Sequence, residues 1–371
     1  MHFFLTFPAF FPNIKNNIYN LNVDKIIYFF ITLVMIYLCG YKYFVGGDWH
    51  SLFYNFTTRD HYTLTDVFLN IDFSYNFVLY ICNSLNLNFI YVNLILQIIF
   101  FTLLYLIAIN QKNLRFIFSI FFPTVIFVFS FGFIKQGIAC LIFYYGIILI
   151  SKKNLNINWL LVFSILSLSF HTSAILFFFF FILIRGFTKK EFLTASFLFL
   201  IIIFLSKDFI LNNYAKFNEI VPLIKLFKFY LFEEYNTSRA FYFRYILCLI
   251  PSVIFLLYLY ERSKSNYENK FYFYLSVFNI LMVLPSFFLN ITIILDRFLM
   301  YSLPFQAIVY SNLLEKFDNN FIKNYIKIFL LVFFLVYTYI LLYFNQSIEL
   351  WFYRLYYDIY DKNLDNSDYM L

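Results

Sequence analysis

Apolar runs of membrane-crossing length recur along this chain, separated by short polar breaks. The first covers residues 25–45. Others follow at 88–109, 114–131, 134–150, 157–170, 172–185, 191–206, 240–260, 271–289, 297–314 and 325–344. A helix gains 1.5 Å per residue, so about 20 mostly apolar residues carry it across the hydrocarbon layer. The pattern predicts an all-α polytopic membrane protein with about eleven transmembrane helices. One further apolar run, at 75–85, is too short to cross and is expected to be a re-entrant or interfacial helix. No polar linker divides the chain, so residues 1–371 are expected to form a single integral membrane domain.

Two polar stretches interrupt the pattern. The first, about 46–74, carries Asp48, Asp60, Asp66 and Asp72 against Arg59. The second, 207–239, holds Lys207, Lys216, Lys225, Lys228, Glu233 and Glu234. The tail at 345–371 is polar and aromatic, with Trp351, Tyr353, Tyr356, Tyr357 and Tyr360, and is expected to lie along the interface.

Basic residues in short loops set the orientation of membrane helices. If 75–85 does not cross, one set of loops contains Lys15 and Lys25, Lys112 and Arg115, Lys152 and Lys153, and Arg185, Lys189 and Lys190. It also contains Arg262, Lys264 and Lys270, and Lys316, Lys323 and Lys327. These loops share one side, which the rule makes cytoplasmic together with the N-terminus. The stretches 46–74 and 207–239 and the tail then face outward. A crossing at 75–85 would invert every later loop and break the pattern.

Composition sharpens this reading. Hydrophobic residues make up 63% and charged ones 13%, against about 25% charged in soluble domains. The 59 Phe and 34 Tyr match a gene written in A/T-rich codons, and they serve mostly as lipid-facing filler with some interfacial anchoring. The net charge of +7 sits in loops between spans, which marks membrane orientation and not a nucleic-acid groove. Cys39, Cys82, Cys140 and Cys248 are scattered singly, without the spacing of a disulfide framework or zinc site. Asp48, His50 and His61 lack metal-ligand spacing, and no metal or other cofactor is expected. The first dozen residues lack a basic n-region and a small-residue cleavage site, so no cleavable signal is expected.

With this topology the chemistry-bearing residues fall at outer helix ends. They are Asp48 and Trp49, then Asp72 and Tyr75, then Lys135 and Gln136, then His171. Arg239, Arg244, Asp296, Arg297 and Tyr301 complete the set. Groups so placed are expected to converge around one outward-facing cavity. Each also has a plainer reading. Lys135, Arg239, Arg244 and Arg297 could snorkel to headgroups, Asp48 could cap a helix, and His171 could be a hydrogen-bonded structural residue. A transporter would instead show ionisable residues at mid-depth and repeated halves, and neither is evident.

The order of these motifs resembles the EpsG family, the Wzy-like polymerases of bacterial O-antigen and exopolysaccharide. It runs Gly-Gly-Asp-Trp-x4-Tyr from Gly46 to Tyr54, Asp72-Phe-Ser-Tyr75, Lys135-Gln-Gly-Ile-Ala139, Phe170-His-Thr-Ser-Ala174 and Asp296-Arg-x3-Tyr301. The resemblance covers about residues 25 to 315. Trp49 stands where the family usually has Tyr, Phe-Ser replaces Pro-Gly, and Lys135 replaces Arg. The last departure matters most, because Arg offers phosphate a bidentate fork and Lys a point charge.

The resemblance implies transfer of a growing glycan from undecaprenyl pyrophosphate to a lipid-linked repeat unit, on the periplasmic face of the inner membrane. It implies catalytic roles for Asp48, His171 and Arg297. Asp72, Tyr75, Lys135, Gln136, Arg239, Arg244 and Tyr301 would bind the diphosphate and glycan. The implied partners are the undecaprenyl-pyrophosphate-linked oligosaccharide, membrane lipids and a chain-length regulator, with no nucleic acid. An O-antigen ligase, a lipid-linked oligosaccharide flippase and a polysaccharide acyltransferase stay open as alternatives.

Overall fold

The computed structural model describes residues 18–42, 49–58, 63–69, 72–186, 241–260, 266–284 and 292–344. All regular structure among them is helical. The expected span at 191–206, the outer stretch at 207–239 and the tail at 345–371 lie outside the described residues, as do Asp48 and Arg239.

Among the described residues, five helices are long and apolar enough to cross a bilayer. They cover Val23–Gly40, Phe89–Ile109, Ile134–Lys153, Phe241–Leu259 and Asn320–Ile340. The protein is therefore embedded in a membrane. Contacts along the chain group into two compact units, each drawing on separated segments. One comprises Met1–Tyr145, Ile165–Ala174 and Leu314–Leu371; the other comprises Gly146–Ser164 and Ile175–Leu313.

In the first unit, α1 (Ile18–Gly40) is an unbroken apolar run and packs along α5 (Phe89–Ile109). Gly40 allows the close approach, since a Cβ there would lie 2.6 Å from Leu94 Cδ1. Asn93 of α5 donates to the carbonyls of Cys39 and Gly40 at 2.9 and 2.6 Å. These belong to the last turn of α1 and have no partner within the helix. At the other end of α1, Arg115 of α6 (Leu114–Phe121) grips Asp24 through two bonds of 2.9 and 2.7 Å. Glu315 accepts from Asn113 at 2.7 Å and from Lys323 of α14 (Asn320–Phe344) at 3.1 Å.

The stretch 46–74, read from sequence only as polar, contains two short helices, α2 (Trp49–Thr57) and α3 (Leu64–Leu69). Trp49, Phe53 and Phe56 of α2 pack on the Phe89 ring at the start of α5. The expected non-crossing helix is α4, Phe73–Ser84, of 12 residues. Its length of about 18 Å falls well short of the hydrocarbon layer. Asn83 near its end donates to the Phe56 carbonyl at 3.5 Å, so α4 returns to α2 and does not leave it behind.

Several expected spans are broken. Residues 114–130 run as α6 and then as a π-helix, Phe122–Ser130, with Pro123 near its start. Pro123 has no N–H to give, which favours the wider turn. α7 (Ile134–Lys153) follows after a tight turn, and α8 (Asn158–Phe170) stops at His171. A short turn, Thr172–Ile175, then leads into α9 (Leu176–Gly186).

The second unit contains α10 (Phe241–Ile254, continued by π-helical Phe255–Leu259) and α11 (Tyr267–Leu281). α12 (Thr292–Met300), α13 (Leu303–Leu314) and α9 belong to it as well, beside the stretch Gly146–Ser164. The single span expected at 297–314 is in fact two helices. Asp296 and Arg297 lie inside α12 and do not open a span. The break falls at Tyr301 and Ser302, just ahead of Pro304, which has no N–H to return to the Met300 carbonyl and suits the first turn of α13.

Candidate functional site

In the first unit, the start of α4 meets the start of α7. Lys135 extends its ammonium to 3.4 Å from Asp72 Oδ2 and lies 4.5 Å from the centre of the Tyr75 ring. Both charged side chains are partly exposed, whereas Tyr75 is buried. The aromatic face stabilises the cation without neutralising it, and the ion pair is long and partly open to solvent. Gln136, the next residue, is fully buried.

The end of α8 is tied to this place by Ser74 and Ser169, whose hydroxyls are 2.6 Å apart. His171 follows, and its Nδ1 caps the turn Thr172–Ile175, accepting from the Ser173 N–H at 3.2 Å. The Ser173 hydroxyl is 2.7 Å from the same nitrogen. A neutral imidazole that accepts at Nδ1 carries its proton on Nε2. In this geometry His171 offers a donor.

In the second unit, Arg244 of α10 forms an ion pair with Asp296 of α12. Their side chains are 14% and 10% exposed, so the pair is largely withdrawn from solvent. It heads a polar stripe on α10, where Cys248 and Ser252 follow at helical spacing. Gln306 Nε2 donates to Cys248 Sγ at 3.5 Å, and Asn279 links the hydroxyls of Ser252 and Ser302 at 3.0 and 2.7 Å. Such bonds hold helices in register where apolar contact alone is no different from lipid. Tyr301 is fully buried, with its ring edge-on to Phe177 at 4.9 Å, and Arg297 is half-buried.

The sequence-derived candidates thus gather as Asp72, Tyr75 and Lys135 in one unit, with His171 close along the chain to the Ser74–Ser169 link. In the other, Arg244 gathers with Asp296. Sequence reasoning passed over Lys42, whose buried ammonium donates to the Ser130 carbonyl. A signal for it was present, since it is a cation on the side that the basic loops mark as outer. Among the described residues, no three His, Cys, Asp or Glu side chains are grouped to hold a metal ion.

These features define a membrane-embedded helical protein with a cation–carboxylate–aromatic cluster at helix ends. The chain belongs to the EpsG family, whose model matches residues 25–355, and the family is tied to polysaccharide production at membranes. No curated protein and no solved structure matches the chain.

Proposed function

We propose that this protein is a polysaccharide polymerase that joins lipid-linked repeat units at the outer face of the bacterial inner membrane. The growing glycan leaves undecaprenyl pyrophosphate for a hydroxyl of the next lipid-linked repeat unit. The bond from the anomeric carbon to the pyrophosphate breaks, and a bond from that carbon to the acceptor oxygen forms. The acceptor proton passes to a base, and undecaprenyl pyrophosphate departs with the bonding pair. The driving energy is already in the donor.

The observation that carries this reading is the Lys135 ammonium held between Asp72 and the Tyr75 face, within the region that the EpsG family model matches. A cation so placed can hold the donor diphosphate and stabilise charge that builds on it as the glycosidic bond breaks. Asp72 keeps the ammonium extended while the site is empty. Arg239, Arg244 and Arg297 are further cations for the diphosphate, and Gln136 and Tyr301 support the glycan side. Asp48 is the base in this scheme, because His171 has its Nδ1 committed to a backbone N–H.

Deleting the gene tests the reaction. Loss of a polymerase leaves single repeat units on lipid A, whereas loss of a ligase or a flippase leaves none. Loss of an acyltransferase keeps chain length and changes only substituents. Orientation is tested by fusions at Asp60, Lys153 and Asn363: phosphatase activity is expected at Asp60 and Asn363, and high activity at Lys153 would sink the topology.

The role of His171 gives a graded expectation. His171→Gln, which retains a terminal N–H donor, keeps part of the polymer ladder, and His171→Ala shortens it by about 10²-fold in long-chain yield. Wild-type ladders from His171→Ala at equal protein level would remove His171 from the site.

A further inference from the structure

Lys42 follows α1 and is only 5% exposed. A buried ammonium among membrane helices is costly unless its charge is engaged. Here the Nζ donates to the Ser130 carbonyl and lies 5.3 Å from the centre of the Phe131 ring. Gln97 of α5 donates to the same carbonyl at 3.0 Å and accepts from the Ser130 hydroxyl at 2.9 Å. Two side chains, one at the end of α1 and one on α5, thus hold a single peptide group.

Ser130 is the last residue of the π-helix. The carbonyls at a helix end carry partial negative charge and are short of donors, so a cation there is doubly favoured. π-turns are rare within α-helices and need outside support to persist. Immediately beyond, the chain turns sharply. Gly132 N–H returns to the Val128 carbonyl at 3.1 Å, and Phe133 N–H to the Phe129 carbonyl at 3.0 Å. The Gly137 N–H then bonds the Phe133 carbonyl at 2.9 Å, and α7 is under way. Gly137 is pressed on the π-helix, since a Cβ there would lie 2.5 Å from Phe129 Cβ. Lys135 projects from the first turn of α7, so a shift at Ser130 would be transmitted to it over one short, tightly bonded turn.

We infer that Lys42 is a positioning residue for Lys135: by holding the Ser130 carbonyl it fixes the turn that launches α7 and so aims the Lys135 ammonium. This rests on the reading in which Lys135 holds the donor diphosphate. Lys42 itself stays in its buried seat and does not touch the donor.

The test uses the full chain purified into lipid nanodiscs, with Lys42→Met, which removes the charge at similar volume, and Lys42→Arg, which restores a cationic donor. Amide hydrogen exchange over residues 131–137 is expected to quicken about tenfold in Lys42→Met and to return toward wild type in Lys42→Arg, while exchange in α5 stays unchanged. With a lipid-linked repeat unit as substrate, Lys42→Met should lower kcat/KM for the donor about tenfold, with the loss divided between kcat and KM as it is in Lys135→Ala, and Lys42→Arg should reverse most of that. Adding Lys42→Met to Lys135→Ala should cost nothing further, because both changes remove one function.

Unchanged exchange over 131–137, or a double variant whose losses multiply, would overturn the proposal. If Lys42→Met does not accumulate, Lys42→Gln is judged by the same two readouts. Polymerisation that survives Lys135→Ala would defeat the reading of Lys135. The exchange data would still decide whether Lys42 braces the turn.

Discussion

Lys135→Ala is expected to abolish long polysaccharide chains while the protein accumulates at its normal level in the membrane. Two magnitudes decide this. In the resting structure the Lys135–Asp72 contact is long, at 3.4 Å, and partly exposed, so losing it costs the fold at most about 1 kcal/mol. The cation–π contact with Tyr75 is worth about as much. The same ammonium facing a pyrophosphate leaving group acts where charge builds during reaction. Loss of one such stabilising group lowers turnover by about 10²–10³-fold. Abundance and activity should therefore separate.

Lys135→Arg should retain much of the activity, because it keeps the charge and adds a bidentate fork for phosphate. The measurement is the chain-length ladder beside a blot of the protein. Wild-type ladders from both variants would take Lys135 out of the site.

Asp296→Ala should have the opposite signature, a protein that fails to accumulate. Arg244 and Asp296 pair in a largely dry position between α10 and α12, with Leu295 and Leu299 of the same core beside them. Removing the carboxylate strands a guanidinium there, and breaking a buried pair from one side costs about 3–5 kcal/mol. Replacing both partners with apolar side chains of similar volume removes the stranded charge and is close to neutral for stability. The double variant Arg244→Met with Asp296→Leu should thus restore abundance, as read by the blot and the melting temperature in detergent. Polymerisation should stay lost in it if Arg244 also meets the diphosphate. Asp296→Ala at wild-type abundance and melting temperature would show that the pair does not support the fold.

Membrane embedding and helical class were legible in the chain because a backbone in hydrocarbon must satisfy its own hydrogen bonds, leaving long apolar helices as the available solution. The short helix at 73–84 was legible for the same reason, through its length alone. Family membership was visible in five motifs whose order survives even where single residues depart. Lys135 was singled out because it opens a predicted span on the side expected to face outward and stands within one of those motifs.

Periodicity and hydropathy could not mark where a helix breaks inside an apolar run. The π-helix at Phe122–Ser130 and the break at Tyr301–Ser302 both lie in sequence that scores as continuous span, whereas the stop at His171 was already legible as a boundary. Breaks of this kind depend on which neighbour supplies a donor or acceptor to the freed peptide groups. Ser130 is supported by Lys42 and Gln97, from segments far away in the chain. Partner choice was equally hidden. Nothing in the spacing of Arg244 and Asp296 says that they pair, or that Nδ1 of His171 is spent on a backbone N–H. Hydrophobicity depends on residue type alone and can be read one position at a time. A hydrogen bond or ion pair needs two groups at a set distance, and for residues far apart in the chain that distance exists only once the helices have packed.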